Sequence, residues 1–198
     1  MEIMEDAGKE HSCRDAANEA NGPDNSGGRP IKALYEKTCA ALKEGSARNP
    51  IRVCVSSENQ SGFRSHIRIR DFELISDQPY GFKGTNAGPK PSELLLAALA
   101  SCQEVTWRLY ADAMDIDLHL ISVKLEGIQD LNGFLGTDEV TPAGFQSISG
   151  TVYIDSSACD AELEKLRQVV DSHCPVLDDL MRNVPVSLEM ERSEGKQA

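Results

Sequence analysis

No run of about 18 apolar residues occurs in the sequence, so no transmembrane helix is expected. There is no CxxC pair, and the four histidines, at 11, 66, 119 and 173, fall at no metal-ligand spacing, so no metal is expected. Neither a Gly-rich phosphate loop nor a Gly-x-Ser-x-Gly elbow is present, which removes the usual nucleotide cradle and serine hydrolase, and no cofactor is expected. Basic residues are few. Lys and Arg number 20 against 32 Asp and Glu, for a formal net charge of -12. A chain of that sign is repelled by nucleic acid and by anionic membrane surfaces. Met1 to Glu10 is acidic and lacks the apolar core of a secretory signal, which predicts a cytoplasmic location. Internal repeats are also missing.

What is present fits one domain with a genuine core, at 198 residues and 40% apolar content. Residues 1–30, rich in Glu, Asp, Asn, Gly and Ser, read as a disordered acidic terminus. Residues 31–48 read as a helical extension, with Leu34, Thr38 and Ala41 at helical spacing over 31–46. The main domain is placed at 51–192. There, Ile51, Val53 and Val55 alternate as in a strand. Residues 63–75 alternate too, with a slip near Asp71, and Ser61-Gly62 predicts a hairpin connection. After a loop over 77–91, residues 92–113 form the strongest helical signal, with Ser92 as its expected N-cap. Its first half, Leu94 to Cys102, is apolar or small all round, which predicts burial on every side. Strands follow at 120–127 and 146–154 around a loop, then helices at 161–173 and 176–182, then a last strand at 185–190. Strands grouped between helices without a βαβ repeat predict an α+β fold.

The six cysteines are too sparse for a secreted disulfide scaffold, and without an export signal the thiols are expected to be reduced. Cys13, Cys39, Cys54 and Cys159 lie at ordinary terminal, helical, strand and turn positions. Cys102 stands out because polar Gln103, Glu104, Thr106 and Arg108 follow it at once. The helix turns amphipathic there, so Cys102 sits at the edge of the core, where a site could open. Cys174 stands out because Pro175 follows it. Proline pushes the preceding residue out of the α region and is favoured in the first turn of a helix. Cys174 is therefore placed at the N-cap of the next helix, its sulfur facing free N–H groups, with His173 beside it. Asp171, Asp178 and Asp179 oppose a thiolate there.

Two stretches together resemble the OsmC/Ohr family of osmotically inducible and organic hydroperoxide resistance proteins. They are Gly88-Pro89-Lys90-Pro91-Ser92-Glu93-Leu94-Leu95-Leu96-Ala97-Ala98-Leu99-Ala100-Ser101-Cys102 and His173-Cys174-Pro175-Val176. The loop Gln78-Pro79-Tyr80-Gly81-Phe82 is of the same type, and the likeness runs from about Ile51 to Glu191. The resemblance implies an intertwined homodimer in which long buried central helices are wrapped by curved antiparallel sheets. It implies a thiol peroxidase acting on organic hydroperoxides or hydrogen peroxide. Cys102 would be oxidised to a sulfenic acid, Cys174 would condense with it to a disulfide, and an external dithiol would restore both. The family's peroxidases add an arginine from the first strands and a glutamate ahead of the helix. Ser92 stands at that glutamate's position here, with Glu93 one place on. Glu104 is the carboxylate offered in its place, and Arg64 is chosen among Arg64, Arg68 and Arg70. The departure at Ser92 keeps a second reading open: a redox sensor or small-molecule binding protein of the same fold.

Overall fold

A computed structural model describes residues 29–192. The expectations placed on residues 1–28, Cys13 among them, lie outside the described residues. Among the described residues eleven elements follow one another: α1 (Pro30–Lys43), β1 (Ser56–Ser61), β2 (Arg64–Ile69), β3 (Phe72–Ser76), a 3-10 turn (Tyr80–Phe82), α2 (Pro91–Ala113), β4 (Leu118–Gln129), α3 (Leu131–Leu135), β5 (Phe145–Ser156), α4 (Asp160–His173) and α5 (Pro175–Met181). The fold is α+β, with antiparallel sheets β1-β2-β3 and β4-β5.

The core lies where α2, α4 and the second sheet meet. Trp107, Ala111, Ile116, Leu118, Leu166 and Val170 are buried together, flanked by Tyr110, Ile121, Val152, Ile154 and Leu163. The 166/170 spacing on α4 and the 107/111 spacing on α2 each put two side chains on one helical face, so two helices close over one face of the β4-β5 ladder. Arg108 donates to the Leu118 carbonyl and ties the end of α2 to the start of β4. Outside the core, α1 is clamped across the end of α2. Arg29 donates to the Ile116 carbonyl at 3.0 Å, and the Lys32 ammonium lies 2.5 Å from the Asp115 carboxylate.

The slip near Asp71 is a tight turn. Ile69 pairs with Phe72, and Arg70 takes a left-handed φ of 55° between them, so 63–75 is two strands, β2 and β3. The connection at Ser61-Gly62 is the β1-β2 hairpin, with Gly62 at φ 54°. The loop after β3 is wound on one carboxylate. Asp77, 1% exposed, accepts from the amides of Gln78, Thr85 and Ala87 at 2.8, 2.9 and 3.2 Å, and from the Thr85 hydroxyl at 2.5 Å. Those donors, the hydroxyl first, hold its carboxyl down to about 2 against the cost of burial. Gly88 closes the loop on β3, where a Cβ would meet the Ile75 carbonyl oxygen at 2.1 Å.

Four expectations are corrected. Lys90, not Ser92, is the N-cap of α2, because Pro91 takes the first helical position. Within one chain, α2 is not buried on every side: Leu95 is 39% and Val105 67% exposed. Residues 51–55 form no strand: the first strand starts at Ser56, and Ile51, Val53 and Val55 stay exposed. Residues 185–190 form no strand, and Val186, Leu188 and Met190 are almost fully exposed. The last two segments have the alternation of half-buried strands, yet pair with no strand among the described residues. The first sheet is similar, making no extensive contact with any other described helix or strand.

Candidate functional site

The two singled-out cysteines meet. Cys102 is in the middle of α2, and Cys174 is the single residue joining α4 to α5, at φ -75°, ψ 111°. That extended conformation is what the following proline imposes. The Cys174 amide still closes α4 onto the Val170 carbonyl at 2.9 Å, and its carbonyl opens α5 by accepting from the Asp178 amide at 2.9 Å. The expected N-cap position is therefore observed. Cys174 is fully buried, and its thiol donates to the Cys102 sulfur with 3.4 Å between the two Sγ atoms. Both are free thiols.

Cys102 is the more accessible of the pair and opens on a cavity of about 400 Å³. The walls are Ser101, Cys102, Val105, Thr106, Leu109 and Tyr110 from α2, closed by His173 and Pro175. Residues 101, 102, 105, 106 and 109 follow the helical period and share one face. Burial, the largest influence, pushes the Cys102 thiol up from its ordinary value, and the neighbouring Cys174 thiol adds to this. The Val176 amide, by donating toward the sulfur, and the nearby Thr106 hydroxyl pull the other way. The free N–H at the start of α5 thus serves Cys102, whereas its neighbourhood in sequence had pointed to Cys174.

The carboxylates and arginines lie elsewhere in the single chain. Glu93 is used up at the start of α2, where its carboxylate accepts from the Lys90 amide at 3.0 Å. Glu104, half-buried on α2, is not among the residues lining the cavity and makes no hydrogen bond or ion pair with a described residue. Arg64 opens β2 in the first sheet, with its Nε buried and lacking a hydrogen-bond partner. Arg68 pairs with Glu73, and Arg70 lies over the Phe72 ring. Among the described residues no three His, Cys, Asp or Glu side chains gather to hold a metal. Sequence reasoning found the two thiols and missed Thr106, Tyr110 and Val176. The i, i+4 and i, i+8 spacing of Thr106 and Tyr110 from Cys102 was the signal that could have found the first two.

Comparison with known proteins gives a consistent picture. The family model described as OsmC-like protein matches residues 84–189. Among solved structures, the chain resembles an OsmC-like protein from Mycoplasma pneumoniae, at 20% identity and a TM-score of 0.59, over 67% of this chain and 89% of that one. An OsmC-like protein from Vibrio cholerae matches at 11% identity and a TM-score of 0.54, over 65% and 92% of the two chains. An organic hydroperoxide resistance protein OsmC from Legionella pneumophila matches at 19% identity and a TM-score of 0.50, over 69% and 93%. No curated protein sequence matches.

Proposed function

Because the chain belongs to the OsmC-like family, we propose that it is a thiol peroxidase that reduces organic hydroperoxides or hydrogen peroxide. The observation that carries this reading is the 3.4 Å between two thiols from residues 72 apart, one fully buried and one facing a cavity. Cys102 attacks the peroxide oxygen and becomes a sulfenic acid. Cys174 displaces water from it and a disulfide forms. An external dithiol reverses the bond by exchange. The walls contributed by Val105, Leu109, Tyr110 and Pro175 favour a substrate with an apolar body.

The working unit in this proposal is a cytoplasmic homodimer of the domain at 51–192, with 31–48 as an added helix. It needs neither membrane nor nucleic acid as partner. Support for a second copy comes from the uncovered side of α2, the two alternating segments without an edge, and the first sheet without a packing partner. In that assembly Arg64, whose buried Nε lacks a partner, is assigned to the thiol site, with Glu104 as the carboxylate that holds it. A guanidinium beside Cys102 offsets the upward push of burial and supplies the thiolate.

The test is peroxide consumption with cumene hydroperoxide and hydrogen peroxide, with dihydrolipoamide as reductant. Wild type is expected to turn over, Cys102→Ser to be inactive, and Cys174→Ser to stop after one equivalent. Wild-type turnover no faster than that of the serine variants overturns the enzyme. One observation favours a second reading, a redox sensor or binding protein of the same fold. Ser92 replaces the family's glutamate, and in one chain the Cys102 thiol is held up by burial. A stoichiometric disulfide without catalytic turnover would identify that case.

A further inference from the structure

This inference rests on the peroxidase reading and concerns the second half of the O–O cleavage. When a thiolate takes the terminal oxygen of an alkyl hydroperoxide, the remaining oxygen leaves as an alkoxide, a strong base. Protonating it in the transition state is general-acid catalysis, which needs a proton donor within reach of the cavity.

The lining residues can be taken in turn. Val105, Leu109 and Pro175 carry no such proton. The Ser101 hydroxyl donates to the Ala98 carbonyl at 3.2 Å, and the Thr106 hydroxyl donates to the Cys102 carbonyl at 2.7 Å. Burial pushes the Tyr110 phenol above its ordinary value, so it yields a proton less readily than an imidazolium does. Cys102 is the nucleophile. His173 remains, and an imidazole can both accept and donate a proton through its ring nitrogens.

The His173 ring is held in a defined way. Its Nδ1 lies 2.8 Å from the Val169 carbonyl oxygen, one turn back on α4, so Nδ1 carries the hydrogen in that bond. The tautomer leaves Nε2 as the atom that gains and loses a proton. The ring centroid lies 5.1 Å from that of Tyr110, and Tyr110 is backed by Tyr35 of α1 at 5.8 Å, edge-on. The α1 extension thus buttresses the ring through one intermediate side chain. The titratable groups that share the cavity with it are Cys102 and Tyr110 from α2; Tyr35 and Cys39 of α1 lie behind Tyr110, and Cys174 follows it in the chain. The nearby carboxylates are engaged elsewhere, Asp171 by Arg167 and both Asp178 and Asp179 by Arg182.

We propose that His173 Nε2 is the proton donor to the leaving alkoxide. Cys102 enters the step as the thiolate that the Arg64 guanidinium favours, its proton released to water, while Nε2 takes up a proton from water to give imidazolium. The sulfur electron pair forms a bond to the terminal peroxide oxygen as the O–O bond breaks. That bonding pair departs on the alkyl-side oxygen, which takes the Nε2 proton and leaves as an alcohol. Sulfur is oxidised to the sulfenic acid, the peroxide is reduced, and His173 is neutral again.

The experiment is stopped-flow oxidation of Cys102 in wild type and His173→Gln, with tert-butyl hydroperoxide and with peracetic acid. The peracid's leaving group is a carboxylate, which needs no proton. His173→Gln is expected to lose roughly 100-fold or more on the alkyl hydroperoxide and to change little on the peracid, whose rate also reports an intact fold. Equal rates for wild type and variant on both substrates overturn the proposal. An equal loss on both overturns it as well, because it places the histidine on Cys102 activation or on folding. Absence of a wild-type reaction with either oxidant overturns the peroxidase reading and this proposal together.

Discussion

Joining Cys102 to Cys174 should stabilise the fold considerably, and the size of the effect can be worked out in advance. The two sulfurs stand at 3.4 Å, and a disulfide needs about 2.05 Å. The gap is of a size that side-chain rotation closes, so native-state strain should be small. The bond would close a loop of 72 residues, for which the chain-entropy relation gives about 4 kcal/mol of stabilisation, acting on the unfolded state. For a domain of this size that corresponds to a melting temperature higher by roughly 10 °C. The assay is urea and thermal unfolding of the dithiol and disulfide forms at one protein concentration, with Cys174→Ser given the same oxidant as control. The control should not shift. A disulfide form stabilised by less than about 1 kcal/mol, or destabilised, would refute the argument. It would mean that closing the bond strains the joint between α4 and α5.

Three further outcomes follow from the packing and the loop. Leu166, fully buried between α2 and the second sheet, should cost about 2–5 kcal/mol when replaced by alanine, read from urea midpoints. Gly88→Ala should cost about 1–3 kcal/mol by overpacking, because its Cβ would sit 2.1 Å from the Ile75 carbonyl oxygen; wild-type stability in that variant would contradict the close approach. Asp77 has a folded-state value lowered from 3.8 to about 2. Its contribution is therefore complete above about pH 4 and lost as pH falls through about 2. Amide protection at Thr85 and Ala87 should drop over that window in wild type and be low throughout in Asp77→Asn.

Much of the site was legible in the sequence because it depends on local rules. Cys174-Pro175 fixes a helix break whatever surrounds it, whereas the change from apolar to polar after Cys102 misplaced the core, because α2 buries Gln103, Thr106, Trp107 and Ala111 beyond that point and none of residues 91–98 before it. The N-cap of α2 was misplaced by two residues because Pro91 outranks Ser92 as the start of a helix, and Glu93 then reaches back to Lys90. The Val176 amide beside the Cys102 sulfur could not be read, since it needs the angle at which α5 leaves α4. The segments at 51–55 and 185–190 show the limit of a period-2 pattern. It reports that one side of a strand wants cover, and is silent on which chain provides the neighbouring edge.

The isolation of the first sheet has a consequence for how the protein is made. Strands β1 to β3 are finished by Ser76, before any residue of α2 or of the second sheet has been synthesised. They then find no extensive cover from any other helix or strand among the described residues. A small sheet with an uncovered face is marginal in water, so in the proposed homodimer its order waits on the second copy. Amide protection in β1–β3 should accordingly rise with protein concentration, while protection in β4 and β5, folded against α2 and α4, should not. One half of the molecule would then mature with the speed of a unimolecular event and the other with that of a collision.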